Sequence, residues 1–312
     1  MRILYGVEIK KDITYPALLW CLQNDHHLRI PESDNERAAM FSDPIPNVKK
    51  SIYIEHDDGR TDVYDGDTPI DILVTDSSAL PSRHETIHAM IRGLTGEDRL
   101  REIHRQILFK GNLNEEYPEQ LMSCLFLPSD AKVLEIGANI GRNTLVIASI
   151  LEDDKNLVTL ETMAPYAEIL EVQKQLNGFG FHIVNAALSR RRLAQQSGGW
   201  TSYPVEDGAI LQEGEIGLSL VTFDELQQRY DIVFDTLILD CEGAFYYILL
   251  DFPHMLDHIR LVIMENDYTD IAHKQYVDEQ LRSSGFECIY VANQGGWGPC
   301  ASNFFETWQK KI

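Results

Sequence analysis

Basic residues are scarce in this 312-residue sequence: 27 Lys and Arg stand against 49 Asp and Glu, a net charge of −22 at pH 7. Tight binding to a phosphate backbone needs clustered positive charge, so no nucleic-acid partner is expected and a neutral acceptor fits better. Long hydrophobic runs are missing as well. No stretch approaches the ~20 apolar residues that cross a bilayer, so no membrane span is expected. Residues 1–10 show no positively charged start leading into an apolar run, and a cytoplasmic location is the expectation. Cysteine is sparse: Cys21, Cys124, Cys241, Cys288 and Cys300 are scattered, and none has the CxxC spacing of a zinc site or redox dithiol. They read as reduced core thiols. Internal repeats and low-complexity tracts are absent.

The length leaves room for one large α/β domain and a smaller one. Residues 1–75 carry β-type runs at 3–7 and 51–55, the second alternating Ile52 and Ile54 against Tyr53 and Glu55. Turn-rich stretches at 30–35 and 57–59 separate them, which predicts a small β-rich module whose role is not legible. Residues 76–130 turn helical, with Ile87, Met90 and Ile91, then Leu100, Ile103 and Ile107, at three- to four-residue spacing. These helices are expected to lead into and cover a sheet. From 131 to 312, strand and helix alternate, which predicts an α/β fold with a parallel, doubly wound sheet. Strands are expected at 132–136, 157–161, 182–186, 236–240, 261–265, 287–291 and 303–308. Helices are expected at 142–151, 165–177, 244–250 and 271–284, with Pro165 in a first turn and Gly285 as a stop.

The first of these strands runs into Glu135-Ile136-Gly137-Ala138-Asn139-Ile140-Gly141 and then a helix. Glycines there let the backbone approach a ligand. The spacing is neither the G-x-G-x-x-G of dinucleotide binding nor a P-loop. A cofactor with a cationic centre and an amino-acid tail fits better: Glu135 suits an ammonium, and backbone N–H groups at the helix start suit a carboxylate. The next strand ends in Glu161, placed to accept hydrogen bonds from both hydroxyls of a ribose. Asn185, closing the third strand, is a candidate for an adenine edge. The plain alternatives are polar strand ends for Glu135 and Glu161 and a turn-forming Asn at 185. Gly137, Ala138, Asn139, Gly141 and Asn143 complete the first cofactor segment; Thr162 and Ala186 adjoin the other two strand ends.

With these motifs in place, residues 112–308 resemble the FkbM family of S-adenosylmethionine (SAM) dependent methyltransferases. The resemblance rests on VLEIGANIGRN from Val133 to Asn143, the Glu161 strand end, Asn185-Ala186-Ala187-Leu188-Ser189, Thr222-Phe223-Asp224-Glu225-Leu226, and Leu239-Asp240-Cys241-Glu242-Gly243-Ala244. Asp240, Glu242, Gly243 and Ala244 match the family's Asp-x-Glu-Gly-Ala; Cys241 stands where an aliphatic residue is more usual. The resemblance implies a class I methyltransferase (Rossmann-like) fold with an antiparallel final strand. It also implies SAM as cofactor and methyl transfer to a hydroxyl oxygen, often of a sugar or natural product. Residues 1–70 lie outside it.

In an open α/β sheet, ligands sit beyond the carboxyl ends of the strands. The fourth and fifth strands end in Asp240-Cys241-Glu242 and Glu265-Asn266-Asp267, so four carboxylates are expected at one cleft. An alcohol is a weak acid, and its attack on a methyl group needs a base or a metal. Asp240, Glu242 and Glu265 are the catalytic candidates, with Asp240 also beside the cofactor. The same cluster offers oxygen ligands suited to Mg²⁺. Helix capping is the plain alternative for Glu242. Residues 197–204 read as a flexible insertion suited to an acceptor lid, with Trp200 stacking on a sugar and Thr201 and Ser202 meeting its hydroxyls. Glu242 and Asp267 are further acceptor candidates. Trp200 as a mere loop anchor is the alternative, and the loop 294–298 around Trp297 invites the same pair of readings. His84 and His88, one helical turn apart, are a weak candidate metal pair. The expected acceptor is a carbohydrate hydroxyl. The alternatives are a non-sugar natural product, or a glycan-binding module on a non-catalytic methyltransferase fold.

Overall fold

Short apolar runs, alternating in His27–Ile30 and Ser51–Glu55 and continuous in Arg2–Gly6, give the first part of the chain its main strands. The elements are β1 (Arg2–Gly6), β2 (Lys10–Asp12), β3 (His27–Ile30), then helix α1 (Asp34–Phe41), β4 (Ser51–Glu55), β5 (Thr61–Tyr64) and β6 (Ile70–Leu73). Strands β2, β1, β4 and β5 form one antiparallel sheet and β3 pairs with β6. Ile3, Tyr5, Ile52 and Ile54 meet Leu28, Ile30 and Phe41 in a core of their own. The structure is a computed structural model, and it describes residues 1–14, 17, 27–41, 44–73, 83–206, 208–293 and 295–311. Cys21, Gln294 and the expected boundary at residue 75 lie outside the described residues.

Helices α2 (Arg83–Ile91), α3 (Gly96–Gln106) and α4 (Tyr117–Phe126) follow. Their buried residues Ile87, Ile91, Leu100 and Ile103 keep the helical spacing read from the sequence. The sheet region then runs β7 (Val133–Ile136), α5 (Arg142–Ile150), β8 (Leu157–Leu160), α6 (Ala164–Asn177), β9 (His182–Val184), β10 (Ala187–Leu188), β11 (Leu193–Gln196), β12 (Ser202–Pro204), β13 (Glu215–Gly217) and β14 (Leu220–Val221). It continues with α7 (Phe223–Tyr230), β15 (Thr236–Leu239), α8 (Phe245–Asp251), β16 (Leu261–Glu265), α9 (Ile271–Ser283), β17 (Phe286–Ala292) and β18 (Phe305–Lys310).

The main sheet has the order β17-β18-β16-β15-β7-β8-β9. It is parallel except for β18, which runs antiparallel to both β16 and β17. This is the doubly wound class I methyltransferase arrangement with an antiparallel final strand. The central strands are buried on both faces, as short continuous apolar runs are in parallel sheets. Leu134, Leu160, Leu237 and Val262 face one core with Phe223, Phe245 and Val277 of α7, α8 and α9. Val133, Leu157, Ile238 and Ile263 face the other, with Leu100, Met122 and Leu145 of α3, α4 and α5.

All the strands expected after residue 131 are present, with ends moved by one or two residues. Glu161 lies just past its strand, because Gly137 and Ala138 both donate to the Leu160 carbonyl and end the β7–β8 ladder there; Asp240 and Ala186 likewise lie past β15 and β9. Asn303 belongs to a 3₁₀ turn, Gly298–Asn303, ahead of β18. The larger correction concerns the insertion. Of residues 197–204, read as flexible, 202–204 form β12, an outer strand of a three-stranded antiparallel sheet with β11 and β13, in which Ala194 and Gln195 of the middle strand are buried. Thr222 opens α7 as a capping box with Glu225, so that part of the matched segment has a structural role.

Candidate active site

The cleft lies beyond the carboxyl ends of β7, β8 and β15, where strand order reverses around β7. Counting its open mouth it holds about 1000 Å³ of empty space. Gly137, Asn139, Glu161 and Thr162 line one part; Asp240, Cys241 and Glu242 line the next; Trp200 and Ser202 of the insertion stand across from them. Glu161 is held rigidly. Its two oxygens accept the Asn139 and Met163 backbone N–H groups, each at 2.7 Å. A carboxylate has further lone pairs, so hydroxyl donors from a ligand still find acceptors there.

Gly137 has φ 95°, and a Cβ on it would stand 1.5 Å from the Asp240 carbonyl oxygen. The close approach of these two strand ends therefore requires glycine. Glu242 has φ 53° and is followed by Gly243 at 76°, a left-handed pair that turns the chain into α8. The N-cap of α8 is Ala244, with no side-chain cap bond, so the capping alternative for Glu242 does not hold.

Behind the cleft, and sharing Gly137 and Asp240 with it, is a smaller chamber lined by Glu116, Glu119, Glu135, Asn143 and Glu265. Strand register explains the meeting. Leu239 pairs with Met264, so the next step sets Asp240 beside Glu265, and Glu135 lies opposite Ile238 on the same face. Helix α4 packs on α5 and reaches β16, and it brings Glu119 over that face together with Met122 and Ser123. Ser123 donates to Asn143 Oδ1 at 3.0 Å. Glu135 Oε2 accepts from the hydroxyls of Thr144 and Thr159, at 2.7 and 2.6 Å. Glu116 accepts from Arg142 at 2.9 Å.

Burial dominates the titration of this region. It pushes Glu135 up to about 7, against the pull of its two threonine hydroxyls. It pushes Glu116 up to about 7 against the attraction of Arg142. Glu265 is pushed up to about 12, by burial first, then by its hydrogen bond with Glu119 and the charge of Asp240. Burial raises Asp240 well above the ordinary range, and Glu242 rises through burial and then the Asp267 charge. A carboxyl whose folded pKa exceeds its unfolded value binds more protons when folded, so stability falls as pH rises between the two. For Glu135 that window runs from 4.5 to about 7. Ligand-free protein should therefore lose thermal stability across it, and Glu135→Gln should flatten that slope. Parallel melting curves of both proteins from pH 5 to 8 check this; identical slopes would remove Glu135 as the cause.

The remaining sequence candidates are placed as follows. Ala138 is buried with its N–H on Leu160, and Gly141 (φ 95°) leaves room for Leu170. Asn185 is exposed and outside the cleft lining; its amide ties the Glu161 and Thr162 carbonyls at 2.8 and 3.0 Å, while Ala186 lines the cleft. Thr162 donates to Gln195 at 2.9 Å. Trp200 is 54 % exposed and stacks on Tyr166 at 5.4 Å, forming part of the cleft wall; of the two hydroxyl residues expected beside it, Ser202 lines the cleft and Thr201 does not. Asp267 lines neither cavity and accepts a hydrogen bond from Trp297. The four expected carboxylates stay near one another but line different spaces: Glu242 the cleft, Glu265 the chamber and Asp240 both, while Asp267 lines neither and hydrogen-bonds Glu265 and Trp297. His84 Nε2 sits 2.7 Å from the Leu151 carbonyl, which leaves the His84–His88 pair without a ligand geometry. Cys124, Cys241, Cys288 and Cys300 are free thiols. No helix among the described residues is long and apolar enough to cross a membrane.

Sequence reading missed Glu116 and Glu119, which stand in the acidic run 115–119 and look like ordinary helix-start residues. It also missed Arg191, Gln195, Tyr247 and Asp251 of the cleft wall, for which no local signal exists.

No protein-family model matches the chain, and no curated protein gives a significant match. Among solved structures it is similar to an O-methyltransferase from Bacillus cereus in complex with SAH, at 14 % identity and TM-score 0.38, covering 72 % of this chain and 97 % of that one. It is similar to the O-methyltransferase TomG from Streptomyces achromogenes, involved in tomaymycin synthesis and in complex with SAM. That match has 14 % identity and TM-score 0.37, covering 73 % and 96 %. A ribosomal protein L11 methylase from Lactobacillus delbrueckii subsp. bulgaricus matches at 10 % identity and TM-score 0.37, covering 65 % and 81 %. Likeness at this level assigns neither activity nor acceptor.

Proposed function

We propose that the protein is a SAM-dependent O-methyltransferase of the FkbM type, with a carbohydrate hydroxyl, on a glycan or an activated sugar, as acceptor. The observation that carries this reading is one continuous cleft at the strand carboxyl ends, running from Glu161 past Gly137 to Asp240 and Glu242. Its residues fit the cofactor. Gly137 keeps the strand ends close, Glu161 presents a fixed carboxylate for ribose hydroxyls, and Glu135 offers negative charge for an ammonium. When bound, SAM supplies an electrophilic methyl group. The chain's own part is to align the acceptor and take its proton. Glu242 is the carboxylate on the cleft wall suited to that role, and the Trp200 indole suits the apolar face of a sugar ring.

Transfer of label from SAM to a panel of glycans and free sugars tests the acceptor class. Leu188, Leu193, Pro204 and Ile248 also line the cleft and favour a non-sugar natural product as the second reading. Label appearing only in apolar hydroxylated compounds would select that one, and SAM binding with no turnover on either would leave a glycan-binding module. Glu161→Ala should weaken SAM binding by about 1 to 3 kcal/mol in isothermal titration, the loss for hydrogen bonds to a charged group. Unchanged affinity would remove the ribose assignment.

A further inference from the structure

We propose that Glu119, Asp240 and Glu265 form a binding site for one hard divalent cation, Mg²⁺ or Mn²⁺, in the chamber behind the cleft. One oxygen from each of the three carboxylates lies within 4.8 Å of the others. Two ligands on one ion at about 2.0 to 2.6 Å stand no more than about 4 to 5 Å apart, so the spacing is that of a common coordination shell. An independent sign is the state of Glu119. It is 6 % exposed, and its Oε2 has no hydrogen-bond partner among the described residues. Glu119 does share a hydrogen bond with Glu265, a contact between two acids that needs a proton when no cation is there, and the buried Oε2 left over is costly unless a cation or donor meets it.

The cations nearby do not meet it. No Lys, Arg or His lines the chamber among the described residues. Arg142 is taken up by Glu115 and Glu116, and the threonine hydroxyls by Glu135. The donors are all oxygens, with no Cys or His among the lining residues, which selects a hard ion over zinc or iron. Helix α4 supplies Glu119 while the ends of β15 and β16 supply the other two, so the ion would tie the helix to the sheet beside the cleft. Glu242 and Asp267, the other carboxylates expected in such a cluster, do not line this chamber, although Asp267 hydrogen-bonds Glu265.

The test is titration of the full chain, without SAM, with MnCl₂, reading free Mn²⁺ by its paramagnetic resonance signal. One saturable site per chain, competed by Mg²⁺, is expected. Glu119→Gln and Glu265→Gln should each weaken it at least tenfold, and Glu242→Gln should leave it unchanged. Far-UV circular dichroism and melting curves report folding. Removing an unmatched carboxylate should not lower the metal-free melting temperature of Glu119→Gln, and should abolish its rise with Mn²⁺. Should Glu119→Gln fail to fold, Glu265→Gln carries the test. Absence of saturable binding, or binding indifferent to these substitutions, overturns the site. If Mn²⁺ fails to bind while SAM binding depends on Glu119, the chamber belongs to the cofactor's ammonium; the cation site falls and the methyltransferase reading stands. If Mn²⁺ binds as expected but SAM does not, the reverse holds.

Discussion

Glu242→Gln should lower kcat by roughly 10² to 10⁴, the range for losing a general base, while SAM affinity stays within about twofold. The expectation rests on position. Glu242 follows directly on the Asp240 strand end, its left-handed backbone turns it onto the cleft wall, and no helix cap occupies it. Burial and the charge of Asp267 raise its pKa, which makes it a stronger base once ionised. The base must be ionised, so kcat should climb with pH through a limb above the ordinary glutamate range, and that limb should vanish in Glu242→Gln. Steady-state rates from pH 5 to 9, with SAM affinity measured separately, give both quantities. Asp240→Asn should affect SAM binding as well as rate, since Asp240 borders both cavities. Sequence reasoning ranked Glu265 equal to Glu242. The chamber wall it lines makes a direct part in proton removal a poorer fit. Full activity in Glu242→Gln, with its pH limb intact, would sink the assignment.

Gly137→Ala should abolish measurable SAM binding and destabilise the fold by roughly 2 to 5 kcal/mol, from left-handed strain together with a core overlap. Its new Cβ would fall 1.5 Å from the Asp240 carbonyl oxygen, which is backbone and cannot swing aside. Strands β7 and β15 would have to part at the point where the cleft and the chamber meet. Gly59→Ala is the control. Gly59 has φ 84°, comparable strain, and nothing within 4 Å of an added Cβ. Its cost should stay near 1 kcal/mol, with SAM affinity untouched. Denaturant unfolding and isothermal titration on the two variants separate strain from collision. Equal stability losses, or SAM binding retained by Gly137→Ala, would show that the approach of the strand ends is not what the glycine serves.

Much of the sheet was legible because its signals are local. Continuous apolar runs of four or five residues, separated by helical spacing and ended by Pro165 or Gly285, are set by neighbours in the chain. The strands at β7, β8, β15 and β16 were accordingly found to within a residue or two. The insertion was not, because β11, β12 and β13 are short and gain their order from pairing with each other. Gly-rich composition at 198–199 signals a turn without saying what it joins.

The sequence by itself determined the glycine and carboxylate positions at the strand ends, the chain order of the seven main-sheet strands and of four of their helices, and a net charge that disfavours a polyanionic partner. Tertiary structure alone decided which carboxylates share a space. Asp240, Glu242, Glu265 and Asp267 look like one cluster when the strand ends are aligned. Side-chain alternation instead sends Glu265 to the chamber with Glu135, and the turn at Glu242 keeps that residue in the cleft. Glu119 joins them from a helix that precedes the sheet, across 121 residues of chain from Asp240. No period of 2 or 3.6 residues encodes that meeting. It follows from how α4 docks on α5 and β16, a packing that depends on the whole core at once.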